Sequence, residues 1–300
     1  MAEIVLQTHE LTKKYGDFHA LDRVSLTLHQ GDIYGLIGRN GAGKTTFFKC
    51  IMGLAKPSSG TMVIGGDGED LSAARRRIGF VINPAFFSYL SARENLEYLC
   101  RVKGITGRDE TRRVLDLVDL ASQRKPYGTF SLGMKQRLGI AGALLGSPPI
   151  VILDEPINGL DPQGIIDMRS ALKNINTEAG TTLLISSHIL SELDLVATTF
   201  GFIERGVLLK EISHSNLHEQ TRKTLVISVD RPLVATELLA AKGISCEIGK
   251  DGQLTLQSHL NDSHEIARLL VEAGFSLYDL HRRETTLEEY FLRLAGEGEC

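Results

Sequence analysis

The chain has 300 residues, four cysteines, no tryptophan and a formal net charge of −4. That length suits one large domain, or a medium domain followed by a small one. The slightly acidic balance carries no electrostatic footprint for nucleic acid, so no nucleic-acid partner is expected. Cys50, Cys100, Cys246 and Cys300 are far apart, without metal-type spacing, and fit a reducing, cytosolic environment. The opening MAEIVLQTHE lacks a basic region leading into an apolar one, so no secretory leader is expected. No apolar run is long enough to span a bilayer, so any membrane role has to come through another subunit.

In chain order, residues 3–8, 24–28 and 61–64 show partial alternation and read as strands. Lys13-Lys14-Tyr15-Gly16 sets an aromatic ring before a turn, where it can stack on a purine or pack as an edge residue. A short apolar strand, 32–38, then feeds Gly38-Arg39-Asn40-Gly41-Ala42-Gly43-Lys44-Thr45, the pattern G-x-x-x-x-G-K-[ST]. Its glycines let backbone N–H groups curl around a phosphate. Lys44 reaches the β- and γ-phosphates, and the Thr45 hydroxyl can ligate Mg²⁺. Thr46 continues into a helix with Phe47, Phe48, Ile51 and Met52 on one stripe, so a helix dipole lies under the phosphates. Arg39, Asn40, Gly41, Ala42, Gly43, Lys44, Thr45 and Thr46 are therefore the candidate nucleotide-binding residues.

A further strand, 78–82, ends at Asn83-Pro84. From 85 to 148 the pattern is helical. Ser91-Ala92-Arg93-Glu94 has capping-box spacing, 108–120 is amphipathic, and 131–146 is a buried helix opened by Ser131-Leu132-Gly133. A serine and a glycine at a helix start offer a hydroxyl, backbone amides and a dipole to an anion, though Ser131 as a plain N-cap is the simpler reading. Ile150-Val151-Ile152-Leu153 is an apolar run typical of a strand covered on both faces. Asp154 and Glu155 follow it at the carboxyl end, where open α/β sheets bind ligands. Asp154 is placed to hold Mg²⁺, and Glu155 to polarise water. A helix over 163–180 and a strand over 182–186 follow, and His188, just beyond, can bond a γ-phosphate oxygen. Residues 224–295 then read β-α-β-β-α-β with a final helix, the order of a ferredoxin-like module.

Over residues 3–215 this set resembles the nucleotide-binding subunit of an ATP-binding-cassette (ABC) transporter. Tyr15, the loop 38–45, Asn83 at the Q-loop position, the signature 131–135, Asp154-Glu155, the D-loop Asn158-Gly159-Leu160-Asp161 and the switch histidine His188 occur in the family's order. The resemblance implies a P-loop NTPase (ABC ATPase) α/β core, residues 1–215, with a helical subdomain inserted at about 85–148. Residues 216–300 are expected to be a small C-terminal α+β accessory domain. ATP and Mg²⁺ are the implied ligands. The implied partners are a second ATPase subunit, head to tail, and a separate transmembrane permease. The chain would then lie in the cytoplasm, peripheral on the inner face of the membrane.

In that scheme Glu155 is the general base, Lys44 and His188 assist, and Asp161 organises the interface. Tyr15 stacks on the base, and Ser131 and Gly133 contact the partner's nucleotide. Thr45, Asp154 and Asn83 face the metal. Two departures stand out. Asn83 is one methylene shorter than the usual Gln, and the signature reads Phe130-Ser131-Leu132-Gly133-Met134 instead of LSGGQ. That signature and the tail Thr286-Leu287-Glu288-Glu289-Tyr290-Phe291 resemble the drug, bacitracin and lantibiotic export branch. Phe86, Phe87 and Tyr89, just after the Q-loop position, are expected to meet the membrane subunit. The alternatives are a non-transport ABC ATPase acting on a ribosome or other macromolecule, and a small P-loop kinase or GTPase. The latter leaves Ser131, Asp161 and His188 unexplained.

Overall fold

The structure, a computed structural model, describes residues 3–66, 68, 70–81, 86–106, 109–220, 223–249, 251–256, 258, 262–284, 287–294 and 296. Asn83, Pro84, Thr286 and Cys300 lie outside the described residues. So do Ile82, Ala85, Arg108, Gln257, Thr285 and Ala295, at the ends of expected elements. The chain divides into two compact units, Met1–His214 and Ser215–Cys300.

In the first unit β1 (Ile4–Tyr15) turns through Gly16 and Asp17 into β2 (Phe18–Val24), followed by β3 (Thr27–His29). β4 (Ile33–Ile37), buried at every position, runs through the glycine loop into α1 (Lys44–Ile51). β5 (Ser59–Ile64), α2 (Leu71–Arg75) and β6 (Ile78–Val81) come next. A helical stretch holds α3 (Ala92–Lys103), α4 (Glu110–Leu117) and α5 (Leu132–Leu144). Alternation resumes with β7 (Ile150–Asp154), α6 (Pro162–Ala179), β8 (Thr182–Ser187), α7 (Leu190–Asp194), β9 (Thr199–Glu204) and β10 (Val207–Ser213); α8 (His214–Gln220) starts at the last residue of this unit and continues into the next.

β1 pairs antiparallel with β2, β3 and β5. The second sheet has the order β10-β9-β4-β8-β7-β6, parallel from β9 to β6, with β10 antiparallel at one edge. β7 is apolar up to Asp154 and β8 is buried at every position, as expected for strands of a parallel sheet covered on both faces. Leu6, Leu28, Leu36, Phe47 and Ile152 share one buried cluster, so α1 is packed into a core common to both sheets. The helices start where the side chains dictate. Ser91 and Glu94 form the reciprocal capping box of α3. Asp161 caps α6, Pro162 sits in its first turn, and Gly180 ends it with φ 63°.

Three features of this unit go beyond the sequence reading. The stretch 24–28 is not one strand: Val24 ends β2 and Thr27 opens β3, next to Arg23 at φ 49°. β2 lacks strict alternation. β9 and β10 form a hairpin whose two turn residues, Arg205 (φ 48°) and Gly206 (φ 81°), are both left-handed. Arginine at the first of these positions is a weak turn signal.

The second unit has β11 (Lys223–Val229), α9 (Pro232–Ala241), β12 (Glu247–Ile248), β13 (Leu254–Leu256), α10 (Ser263–Glu272), β14 (Leu277–Glu284) and α11 (Leu287–Leu294). Its sheet is antiparallel in the order β12-β13-β11-β14. Leu225, Leu239, Leu254, Ile266 and Leu270 build its core, which joins α9 and α10 to the sheet. Among the described residues, no helix is long and apolar enough to cross a membrane.

Candidate nucleotide-binding and catalytic site

Strand register decides which side chains meet. Ile37 of β4 lies opposite Ser187 of β8, and Asp154 of β7 lies opposite Ser186 of β8. Three adjacent parallel strands therefore end level. The residues that follow them, Gly38, His188 and Glu155, emerge along a single carboxyl edge, the position where such sheets bind ligands.

Gly43 is the N-cap of α1 with φ 110°, and a Cβ there would lie 2.6 Å from the carbonyl oxygen of Ala20. Only glycine satisfies both constraints. The helix that starts here leaves its first amides without intrahelical acceptors, which is what an anion needs. Lys44 is only 5% exposed. Its ammonium donates to the Gly38 carbonyl at 2.5 Å and the Arg39 carbonyl at 3.2 Å, and pairs with Glu155 Oε1 at 3.1 Å. The other oxygen of Glu155, Oε2, is 2.8 Å from His188 Nδ1. Both carboxylate oxygens are thus committed, and the Glu155 backbone is left-handed at φ 50°.

Asp154 is held from two sides. The Thr45 hydroxyl donates to Oδ2 at 2.8 Å and the Ser186 hydroxyl to Oδ1 at 2.6 Å. Nearby on α7, the carboxyl of Glu192 is raised above the usual range, chiefly by burial; His188 and Arg169 oppose the shift and Glu155 adds to it. The cluster thus offers a buried cation, free helix-end amides, a hydroxyl with a carboxylate, and a second carboxylate steadied by an imidazole. Hydroxyl and carboxylate oxygens are the hard donors that suit Mg²⁺.

The remaining expected residues lie in two other places. Tyr15 ends β1, is 52% exposed, and has the Lys13 ammonium 4.7 Å from its ring centroid. Ser131, Gly133 and Asp161 form a group at the starts of α5 and α6. Ser131 caps α5 by accepting from Met134 N at 3.2 Å, and Asp161 accepts from Gly164 N at 3.0 Å. A Cβ on Gly133 would sit 3.5 Å from Leu160 Cδ2, and the Gln136 amide donates to Asn158 O at 3.2 Å. Signature and D-loop segments are therefore packed on each other. Arg39, Asn40 and Gly41 are exposed along the loop, with Ala42 buried and Thr46 half-buried. Asn83 lies outside the described residues. Sequence reasoning missed Ser186. Its signal was a hydroxyl near the carboxyl end of a buried strand, where a buried polar group demands partners.

A family model described as "ABC transporter" matches residues 21–158. The bacitracin transport ATP-binding protein BcrA of Bacillus licheniformis is 40% identical over 300 residues, covering 98% of this chain and 98% of its own length. The lantibiotic transport ATP-binding protein SrtF of Streptococcus pyogenes is 40% identical over 209 residues, 69% of this chain and 90% of that one. The dimeric structure of MJ0796, a bacterial ABC transporter cassette, is 28% identical and superposes with a TM-score of 0.60, covering 70% of this chain and 99% of that one. Residue geometry, family model and full-length relatives agree: the chain belongs to the ABC transporter family and is an ATP-binding, ATP-hydrolysing subunit of it.

Proposed function

We propose that this chain is the motor of an exporter for a drug, peptide antibiotic or similar amphipathic compound. The observation that carries the site reading is the level ending of β4, β8 and β7, which gathers Lys44, Thr45, Asp154, Glu155 and His188. Relatives named for bacitracin and lantibiotic transport support the export branch. Residues 1–215 are the ATP-binding domain, with residues 85–148 as its helical subdomain. Residues 216–300 are an accessory domain of ferredoxin-like type, a reading supported by the antiparallel order β12-β13-β11-β14 with two helices on it.

Arg39, Asn40, Gly41, Ala42, Gly43 and Thr46 surround the phosphates, and Lys44 balances the β- and γ-phosphate charge. Thr45 and Asp154 would hold Mg²⁺, which when bound supplies charge neutralisation to the phosphate oxygens. Tyr15 stacks on the adenine. Glu155 orients a water and accepts its proton as the water oxygen attacks the γ-phosphorus; ADP leaves and inorganic phosphate is formed. His188 keeps the Glu155 carboxylate aimed and contacts the γ-phosphate. Ser131 and Gly133 reach the nucleotide of a second copy, whose approach Asp161 helps to organise; a dimeric cassette of similar fold supports this assembly. A separate permease would hold the chain on the cytoplasmic face of the membrane, with Phe87 and Tyr89 toward it; Phe86, expected there too, packs instead against Tyr127.

The direct test is Glu155→Gln, which keeps shape and removes basicity. Turnover of Mg-ATP is expected to fall about 10²-fold or more, while nucleotide binding persists and an ATP-bound dimer accumulates. Phosphate release at the wild-type rate would remove Glu155 from the role of base.

A further inference from the structure

We propose that Ser186 is a positioning residue that sets both acids of the site through one hydroxyl. The inference rests on the reading of Asp154 and Glu155 above. Ser186 is fully buried at the end of β8, directly opposite Asp154 in the parallel register. Its hydroxyl donates to Asp154 Oδ1 at 2.6 Å and accepts from the backbone N–H of Glu155 at 2.9 Å. A serine hydroxyl has one hydrogen and two lone pairs. Here the hydrogen and one lone pair are spent on two consecutive residues, the last of β7 and the first beyond it.

The consequences separate cleanly. Fixing Oδ1 of Asp154 turns Oδ2 toward the Thr45 hydroxyl, on the metal side of the carboxylate. Anchoring the amide of Glu155 holds that residue in its left-handed conformation at φ 50°, which an L-residue adopts only when its surroundings impose it. From that backbone the carboxylate reaches Lys44 and His188 together. The adjacent Ser187 does something different. Its hydroxyl bonds the backbone of Ile189 at 3.0 and 3.1 Å, and so shapes the turn that carries His188. The pair Ser186-Ser187 thus orients the residues on either side of the reacting water, and neither needs to touch substrate.

The test uses Ser186→Thr and Ser186→Val in the full chain, since threonine and valine match in volume and differ in the hydroxyl. Ser186→Val is expected to lower kcat for Mg-ATP hydrolysis about 10- to 100-fold, with KM and the equilibrium affinity for a fluorescent ATP analogue near wild type. Ser186→Thr should retain most of the turnover. Equal turnover in the two variants, high or low, overturns the proposal, because the position would then act through packing. So does a loss of analogue affinity as large as the loss of kcat. Glu155→Gln run alongside keeps the two ideas apart. Wild-type hydrolysis in that variant defeats the general-base reading, whereas the Thr–Val difference reports on the hydroxyl alone.

Discussion

Lys44 is a charge with almost no contact with water, and that burial has a cost only partners can offset. Two loop carbonyls and the Glu155 carboxylate supply them. The ammonium is therefore held over the loop before any phosphate arrives, and the ordering entropy of a long side chain is already spent. Charge-assisted hydrogen bonds contribute about 1.5–3 kcal/mol each. Lys44→Ala is accordingly expected to weaken ATP binding about 10- to 100-fold, read by equilibrium titration with a fluorescent ATP analogue. Unchanged affinity would take Lys44 out of the phosphate site. The loop was legible in the sequence because its constraints are local: a left-handed glycine, a helix start and a lysine at fixed offsets. Ser186 was not, because its partners lie 32 and 31 positions away and meet it only through the β7–β8 register.

At the scale of elements, the segment Phe86–Ser91 is held in place by one side chain of α3. Asn95, buried, accepts from Phe87 N at 2.8 Å and donates to the carbonyls of Phe87, Leu90 and Ser91 at 3.0–3.3 Å. With its backbone fixed this way, the segment exposes Phe87 and Tyr89, and Tyr98 of α3 meets the Phe87 ring edge-on at 5.1 Å. Phe86 turns the other way, against Tyr127 at 5.3 Å. The apolar string after Asn83 is therefore divided between packing and surface, which its composition could not reveal. An aromatic patch pinned from below suits a membrane subunit's helix. Phe87→Asp should fold, being 37% exposed, and should co-purify with the membrane subunit at about a tenth of the wild-type yield or less. Wild-type yield from a folded variant would put the docking surface elsewhere. Start and stop signals made α3, α5 and α6 readable to within a few residues: the Ser91–Glu94 box, the Ser131 cap and Gly180. The β9–β10 hairpin was hidden, because Arg205-Gly206 is an unusual left-handed pair and β10 alternates only weakly.

The whole molecule poses a question of stoichiometry. Ser131 and Gly133 form one cluster with the D-loop, and Lys44, Asp154 and Glu155 form another. If each ATP lies between the loop of one copy and the signature of the other, a head-to-tail dimer has two composite sites. Two inactive variants can then repair each other. Lys44→Ala damages the loop, and Ser131→Arg fills the signature end with a large side chain on an exposed N-cap, at a folding cost of about 1 kcal/mol. A mixed dimer has one site that combines both lesions and one site that carries neither. Random pairing in an equal mixture makes half the dimers mixed, so about a quarter of the sites are intact. Mg-ATP hydrolysis by the mixture should rise from near zero to about a quarter of the wild-type rate, provided the subunits are allowed to exchange and the sites turn over independently. A mixture as inactive as its two components would mean that Ser131 serves the loop of its own chain, and the two clusters would have to close on each other within one copy.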